Sequence, residues 1–402
     1  MTTSVHSSTA RSDRVAVAVC VAAMIALAVA MGVGRFAFTP LFPLMVRDGV
    51  LDGETGAMLA ASNYLGYLVG ALVAARINIE AATMLALGLI STVVVTAAVG
   101  STSSVPLWVI LRFVAGVMSA WTLVATSAWA LGWLASLGRP HLAGAIFAGV
   151  GLGIAATGLF CLVAAGPGVS SVGMWIELAG LAAIVTLLPL AVSRSLPAPI
   201  IGAAATTPQG ASHKPPSNTG GLIVCYTLFG FGYILPATYL PALARQLVDD
   251  PQVFGLAWPL FGTAAALSTI LVSWGLKRAN RLSVWAVSHF LMAIGVLLPA
   301  IWTSLASVSI AALLVGGTFM VITMIAMQEA RARAEGHATV VLGRMTAGFA
   351  LGQLMGPIAS AAIGRMTVDF ATALNYALAL AAAGLLSSAF YLWHELRRHD
   401  SH

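Results

Sequence analysis

Charge is what this chain has least of. Asp, Glu, Lys and Arg make up 8% of its 402 residues, against 59% hydrophobic residues and a mean hydropathy of +0.96. An ordinary soluble domain carries about 25% charged residues. So little polar surface cannot cover a water-soluble core of this size, which excludes a soluble globular fold. Acidic residues are scarcer than basic ones, 13 against 19, for a formal net charge of +6. That excess does not read as a nucleic-acid surface, because the basic residues stand singly or in small groups between apolar runs. Cysteine is scarce as well: Cys20, Cys161 and Cys225 each lie inside an apolar run with no paired spacing, so neither a disulfide framework nor a metal cluster is expected. No phosphate loop with its lysine, no HExxH and no histidine pair at ligand spacing occurs, so an enzyme is not expected and no cofactor is called for.

What the chain has instead is long apolar runs. A bilayer core of roughly 30 Å needs about 20 apolar residues per helix. Twelve such spans are predicted: 15–45, 55–75, 82–100, 106–137, 141–165 and 172–192, then 221–244, 253–276, 282–302, 306–330, 339–363 and 369–393. The fold class is an all-α membrane protein. Arg11 and Arg14 ahead of the first run resemble a signal peptide, but the run is far longer than a signal h-region, so an uncleaved first helix is expected. Residues 193–220 are rich in Pro, Ala, Ser and Thr without apolar periodicity, and read as a linker between bundles at 1–192 and 221–402.

The two bundles repeat each other. Gly32, Gly34, Pro43 and Arg47 fall on Gly230, Gly232, Pro241 and Arg245 at an offset of 198. Gly144, Gly149 and Gly153 fall on Gly343, Gly348 and Gly352 at an offset of 199. Two homologous halves in the same orientation are the plan of a transporter with a pseudo-two-fold axis along the membrane normal. Gly149, Gly153, Gly348 and Gly352 are expected in two equivalent helix contacts, as surfaces that slide when the halves rock, since small residues let backbones approach closely. Thirteen basic residues lie in one set of loops and tails and three, Arg47, Arg245 and Arg365, in the other. The positive-inside rule then puts both termini and the linker in the cytoplasm.

Charge within a span is a functional candidate by default. Arg35 lies about 7 Å from the middle of the first span, at ~1.5 Å per residue. It reads either as an anion-binding or gating residue, or as a structural arginine serving carbonyls freed by Pro40 and Pro43. Its counterpart in the repeat is Tyr233. Arg112 in the fourth span reads as a substrate contact or charge relay, or as a structural partner of Glu177 in the sixth. Glu177 and Glu329 are the acids in or beside the spans and so the candidates for carrying a proton; Arg344 and His289 are also in or near spans. Asn63, Tyr67, Tyr233, Trp258 and Gln353 are the polar and aromatic residues expected to fill in a central site with Arg35 and Arg112.

Twelve helices, a six-plus-six repeat and a central linker resemble the major facilitator superfamily over the whole chain. Arg112 with Gly116 resembles that family's helix-4 arginine motif, which implies a role in energy coupling or helix packing. More narrowly, Gly32-x-Gly34-Arg35-Phe36-x-Phe38-Thr39-Pro40-Leu41-x-Pro43 resembles the YbfB/YjiJ-type branch. The resemblance implies a bacterial inner-membrane protein, secondary transport and a monomer. Together with the electropositive residues it leads to an expectation: alternating-access transport of a small organic solute bearing an anionic group, coupled to protons, with the solute and the lipid bilayer as partners. The alternatives are an exporter of amphipathic drugs or metabolites and, in another class, a transport-dead sensor or assembly partner.

Overall fold

The computed structural model describes residues 2–164, 168–197, 219–247, 255–276, 278–334, 337–366 and 370–400. The predicted linker falls largely outside the described residues, at 198–218. Among the described residues there are twelve long helices and no strand. They are α1 (Thr2–Leu27, continued by a π-helical stretch Ala28–Phe36 and an α-helical end Phe38–Arg47), α2 (Gly53–Ala74), α3 (Ala81–Val99), α4 (Val105–Ser136), α5 (Ala143–Ala164) and α6 (Ser171–Ser195). The second half supplies α7 (Gly220–Leu247), α8 (Ala257–Gly275), α9 (Arg281–Ile301), α10 (Leu305–Ala332), α11 (Ala338–Gly364) and α12 (Phe370–Asp400). Eleven of them are long and apolar enough to cross a membrane. The other, α11, has 27 residues but carries Arg344 and Gln353.

Local sequence sets where these helices start. Asp52 accepts the Thr55 N–H ahead of α2, Ser170 accepts Gly173 N–H ahead of α6, and Asn280 accepts Leu282 N–H ahead of α9. Ser304 and Ser307 exchange bonds as a capping box at the start of α10. The bundle faces outward with apolar side chains: on α6, Leu181, Ile184 and Leu187 are 52%, 67% and 66% exposed. Such a surface belongs in lipid.

Helix α4 ties the first half together through indole N–H groups that land on carbonyls of its neighbours. Trp108 reaches Val99 O at 3.0 Å, Trp121 reaches Gly70 O at 3.1 Å, and Trp129 and Trp133 reach Leu196 O and Pro197 O at 2.8 and 3.2 Å. Gly66 and Gly70 of α2 abut α4 at Phe113 and Val117, so close that a Cβ would strike backbone.

The glycine repeat resolves into two kinds of contact. Gly149 and Gly153 of α5 lie against Met24 and Ala28 of α1, and Gly348 and Gly352 of α11 lie against Ile223 and Thr227 of α7. These contacts are equivalent under the repeat, but each stays within its own half. Only the first glycine of each triplet crosses between halves: Gly144 meets Thr269 and Ser273 of α8, and Gly343 meets Ala75 just past α2. Along α5 the crossing continues through Gly151, against Gly262 and Ala266, and Gly158, whose Cβ would sit 2.8 Å from Pro259 Cδ. A comb of glycines spaced seven apart is therefore the seam between halves.

One end of the bundle, where α6 ends and α7 begins, is shut across the halves. There Arg331 Nη1 of α10 donates to Ala128 O of α4 at 3.1 Å, and the His141 and Trp274 rings meet edge-on with centroids 6.4 Å apart. We refer to it as the terminal end, and to the other as the Asp48 end. At the latter, Arg47 pairs with Asp48 at 2.8 Å and donates to Val169 O, while Ser171 N–H donates to Asp48 at 2.7 Å. The Arg47 bond first, and the Ser171 N–H second, hold the Asp48 carboxyl at about 2.

Candidate functional site

The site begins with a break in helix α1. Over Ala28–Phe36 the helix runs in π register, then returns to α at Phe38. Pro40 has no N–H, so it can close neither the π-type bond to Arg35 O nor the α-type bond to Phe36 O. Arg112 of α4 supplies donors here: Nη1 bonds Gly34 O and Nη2 bonds Arg35 O, both at 3.2 Å. Two turns along α4 from Arg112 and about one turn before Arg35 on α1, Ser119 Oγ donates to Ala30 O at 2.9 Å. The tight fit needs the glycines, since a Cβ on Gly32 would lie 2.5 Å from Gly153 Cα.

This stretch aims Arg35 at the centre of the molecule. The side chain is 3% exposed, with its guanidinium carbon 3.7 Å from the centroid of the Tyr67 ring and Nη2 donating to Gln353 Oε1 on α11. Arg35 belongs to the first half and Gln353 to the second, so the bond bridges them. Around it lies a buried cluster of rings: Phe36 against Trp258 and Phe319 at 6.1 and 6.2 Å, Tyr67 against Phe349 at 6.5 Å, and Tyr233 stacked on Phe319 at 4.2 Å. Tyr226, Phe229 and Phe261 complete it.

The polar atoms facing this cluster are mainly donors without protein partners among the described residues: Arg35 Nε and Nη1, Gln353 Nε2, Trp258 Nε1, and the hydroxyls of Tyr67 and Tyr233. Nor does any carboxylate among the described residues pair with Arg35 or Arg112; the ion pairs present are Arg47–Asp48, Arg139–Asp13, Arg281–Glu329, Arg333–Glu329 and Arg333–Glu395. Buried cations without counter-ions are costly, and such charge within a membrane helix marks function.

A family model described as "Uncharacterised MFS-type transporter YbfB" matches residues 27–392. The chain belongs to this family of major facilitator transporters. It is accordingly a multi-pass membrane protein built for transport. Among solved structures, that of the human organic anion transporter MFSD10 (TETRAN) superposes with a TM-score of 0.71 over 95% of this chain and 99% of that one. At 16% identity the likeness concerns the fold. No curated protein matches the chain.

The transporter gathers some of the sequence candidates and disperses others. Arg35, Tyr67 and Gln353 touch directly, and Tyr233 and Trp258 join them through the ring cluster. Asn63 is buried but turned to α4, donating to Arg112 O at 3.0 Å. Arg112 grips main-chain carbonyls of α1, and Glu177 lies exposed on α6, so the two are not partners. Glu329 sits at the terminal end between Arg281 and Arg333, at 3.5 and 2.8 Å. Arg344 is exposed. His289 accepts the Trp285 indole N–H at 2.9 Å and stacks on Phe229, behind the cluster. The rings at Phe36, Phe319 and Phe349 were not singled out by sequence, though Phe36 adjoins Arg35 and Phe349 lies one turn before Gln353.

Proposed function

We propose that this transporter works by alternating access, the two halves rocking along the α5–α8 and α2–α11 seams, and that its solute is a small organic molecule bearing an anionic group. One observation carries the reading: a buried arginine with no counter-ion among the described residues, ringed by unpartnered donors contributed by both halves. A solute anion would supply the missing charge, and its field there is poorly screened. The human transporter with the similar fold is described as moving organic anions, which agrees with this reading without adding to its weight. With the terminal end shut and Arg35 and Gln353 buried, this state holds the site closed, and the halves would have to part at the Asp48 end to admit solute.

The remaining assignments follow from the same reading. The membrane is the bacterial inner membrane and the working unit a monomer, as the family resemblance implies, and both termini lie in the cytoplasm, as the distribution of basic residues favours. Protons are the coupling ion, since the site offers donors rather than the oxygen cage a sodium ion would need. Of the two acids, Glu329 between its arginines is better placed to take part than Glu177 on the outer face.

The test is thermal unfolding of the purified protein against organic anions, zwitterions and lipophilic cations. A ligand at 100 times its dissociation constant adds about 2.7 kcal/mol. Stabilisation by anions that disappears in Arg35→Ala is expected. The ring cluster alone would suit an exporter of amphipathic solutes; stabilisation by lipophilic cations, unchanged in that variant, would replace the anion reading with this one. Proton coupling is checked in liposomes: uptake that ignores an imposed pH gradient would remove it.

A further inference from the structure

We infer that Gln353 is the second donor of a carboxylate subsite shared by the two halves, and that the solute it admits is an aromatic, or similarly flat and apolar, monocarboxylate. The inference rests on the reading that Arg35 meets an anionic group. Arg35 and Gln353 are 3% and 0% exposed and approach each other from α1 and α11. With Oε1 occupied by Arg35 Nη2, the amide presents Nε2, a donor without a protein acceptor among the described residues, beside Arg35 Nε and Nη1. Gln353 Oε1 thus holds the place of a carboxylate oxygen. An arriving carboxylate has lone pairs for both the arginine fork and the amide N–H, so it would displace Oε1 and keep Nε2.

Arg112 is turned to main-chain carbonyls of α1, so among the described residues Arg35 is the one cation facing the cluster, and its single charge narrows the solute to a monoanion. A neutral amide or alcohol would leave the buried guanidinium uncompensated, and a cation would add to it. A second carboxylate would lie among rings whose remaining donors are two phenols and an indole.

The shape of the seam narrows the body. Three ring pairs cross between the halves here, Phe36–Trp258, Phe36–Phe319 and Tyr67–Phe349, and all are edge-on with centroids 6.1–6.5 Å apart. Beside them, Tyr233–Phe319 and Trp258–Phe261 of the second half are face-on, at 4.2 and 5.5 Å, whereas Tyr226–Trp285 and Trp285–His289, further from the seam, are edge-on at 6.2 and 6.0 Å. The edge-on seam beside these stacked pairs is where a flat body slots between halves, turning edge contacts into stacked ones.

The experiment uses full-length purified protein and four probes, benzoate, benzamide, acetate and succinate, titrated in thermal unfolding of wild type, R35Q, Q353E and Q353L. Benzoate is expected to raise the transition temperature of wild type and not of R35Q, and benzamide, acetate and succinate to do so weakly or not at all. In Q353E the introduced carboxylate takes the arginine fork, so the benzoate shift is lost while the neutral benzamide gains one. In Q353L, which tests the same point should Q353E not fold, benzoate is about tenfold weaker for one lost bond to a carboxylate. An unchanged benzoate response in either variant overturns the role of Gln353. Acetate or succinate acting through Arg35 as strongly as benzoate overturns the aromatic monocarboxylate and leaves the anion at Arg35 standing. No response to any anion overturns both.

Discussion

Arg112→Lys is nominally conservative and is expected to behave otherwise. Arg112 holds two carbonyls at once, Gly34 O and Arg35 O, where the π stretch of α1 returns to α register. A lysine keeps the charge, so the cost of burying it stays nearly the same and drops out of the comparison. A single ammonium cannot span the two acceptors as the planar fork does. One buried carbonyl then lacks a donor, at about 1–3 kcal/mol. Unfolding entropy of about 2.1 cal/mol/K per residue makes that only about 1 °C per kcal/mol for a chain this long. Equilibrium unfolding in mixed micelles, followed by the fluorescence of the ten tryptophans, is therefore the better assay. The decisive step is a double-mutant cycle with Pro40→Ala, which returns an N–H that can serve Arg35 O in π register. In that background the lysine should lose most of its 1–3 kcal/mol cost. Strict additivity of the two substitutions would refute the idea that Arg112 stands in for the donor proline lacks.

Three further expectations concern other parts of the molecule. Gly151→Ala puts a Cβ 2.5 Å from Gly262 O, an overpacking cost of about 1–3 kcal/mol spent at the seam between halves. Transport in liposomes should fall while helix content by circular dichroism stays, and full transport would show that the seam has slack. Tyr67→Leu should cost about 0.5–2 kcal/mol of stability through the lost ring over Arg35, and Tyr67→Phe little; equal losses in the same unfolding assay would point to the hydroxyl instead. At the Asp48 end, the carboxyl is lowered from 3.8 to about 2, so its contribution is complete above the ordinary value and disappears as pH falls from 3.8 through 2. Exchange of the Ser171 amide should quicken across that window beyond its intrinsic rate in wild type, and an equal response in Asp48→Asn would break the link to Asp48.

Long apolar runs are written plainly in the sequence, and the helices α1 to α12 follow them closely because a span must be apolar for about 20 residues. Arg35 is visible for the same reason, as a charge where charge is expensive. The partner of Arg112 is not visible, because its acceptors are carbonyl oxygens that every residue carries; an acid at the right depth, Glu177, stood out instead. Which way Glu177 faces is also hidden, since α6 is apolar nearly all round and has no clear face. Gly149 and Gly153 announce a close helix contact without saying with which helix, and the neighbour is α1 rather than the other half. The ring cluster draws on α1, α2, α7, α8, α10 and α11, so no local spacing gathers it. The π stretch likewise has no signature beyond the glycines and prolines that tolerate it.

The bond from Arg331 to Ala128 O has a genetic consequence. Its acceptor belongs to the main chain, so any amino acid at 128 that keeps the helix also keeps the oxygen. The contact between α4 and α10 can be lost through position 331 and hardly at all through position 128. Suppressors of an Arg331 lesion should therefore arise elsewhere, in residues that weaken the opposite state, and paired substitutions at 128 and 331 should carry no trace of the two being neighbours.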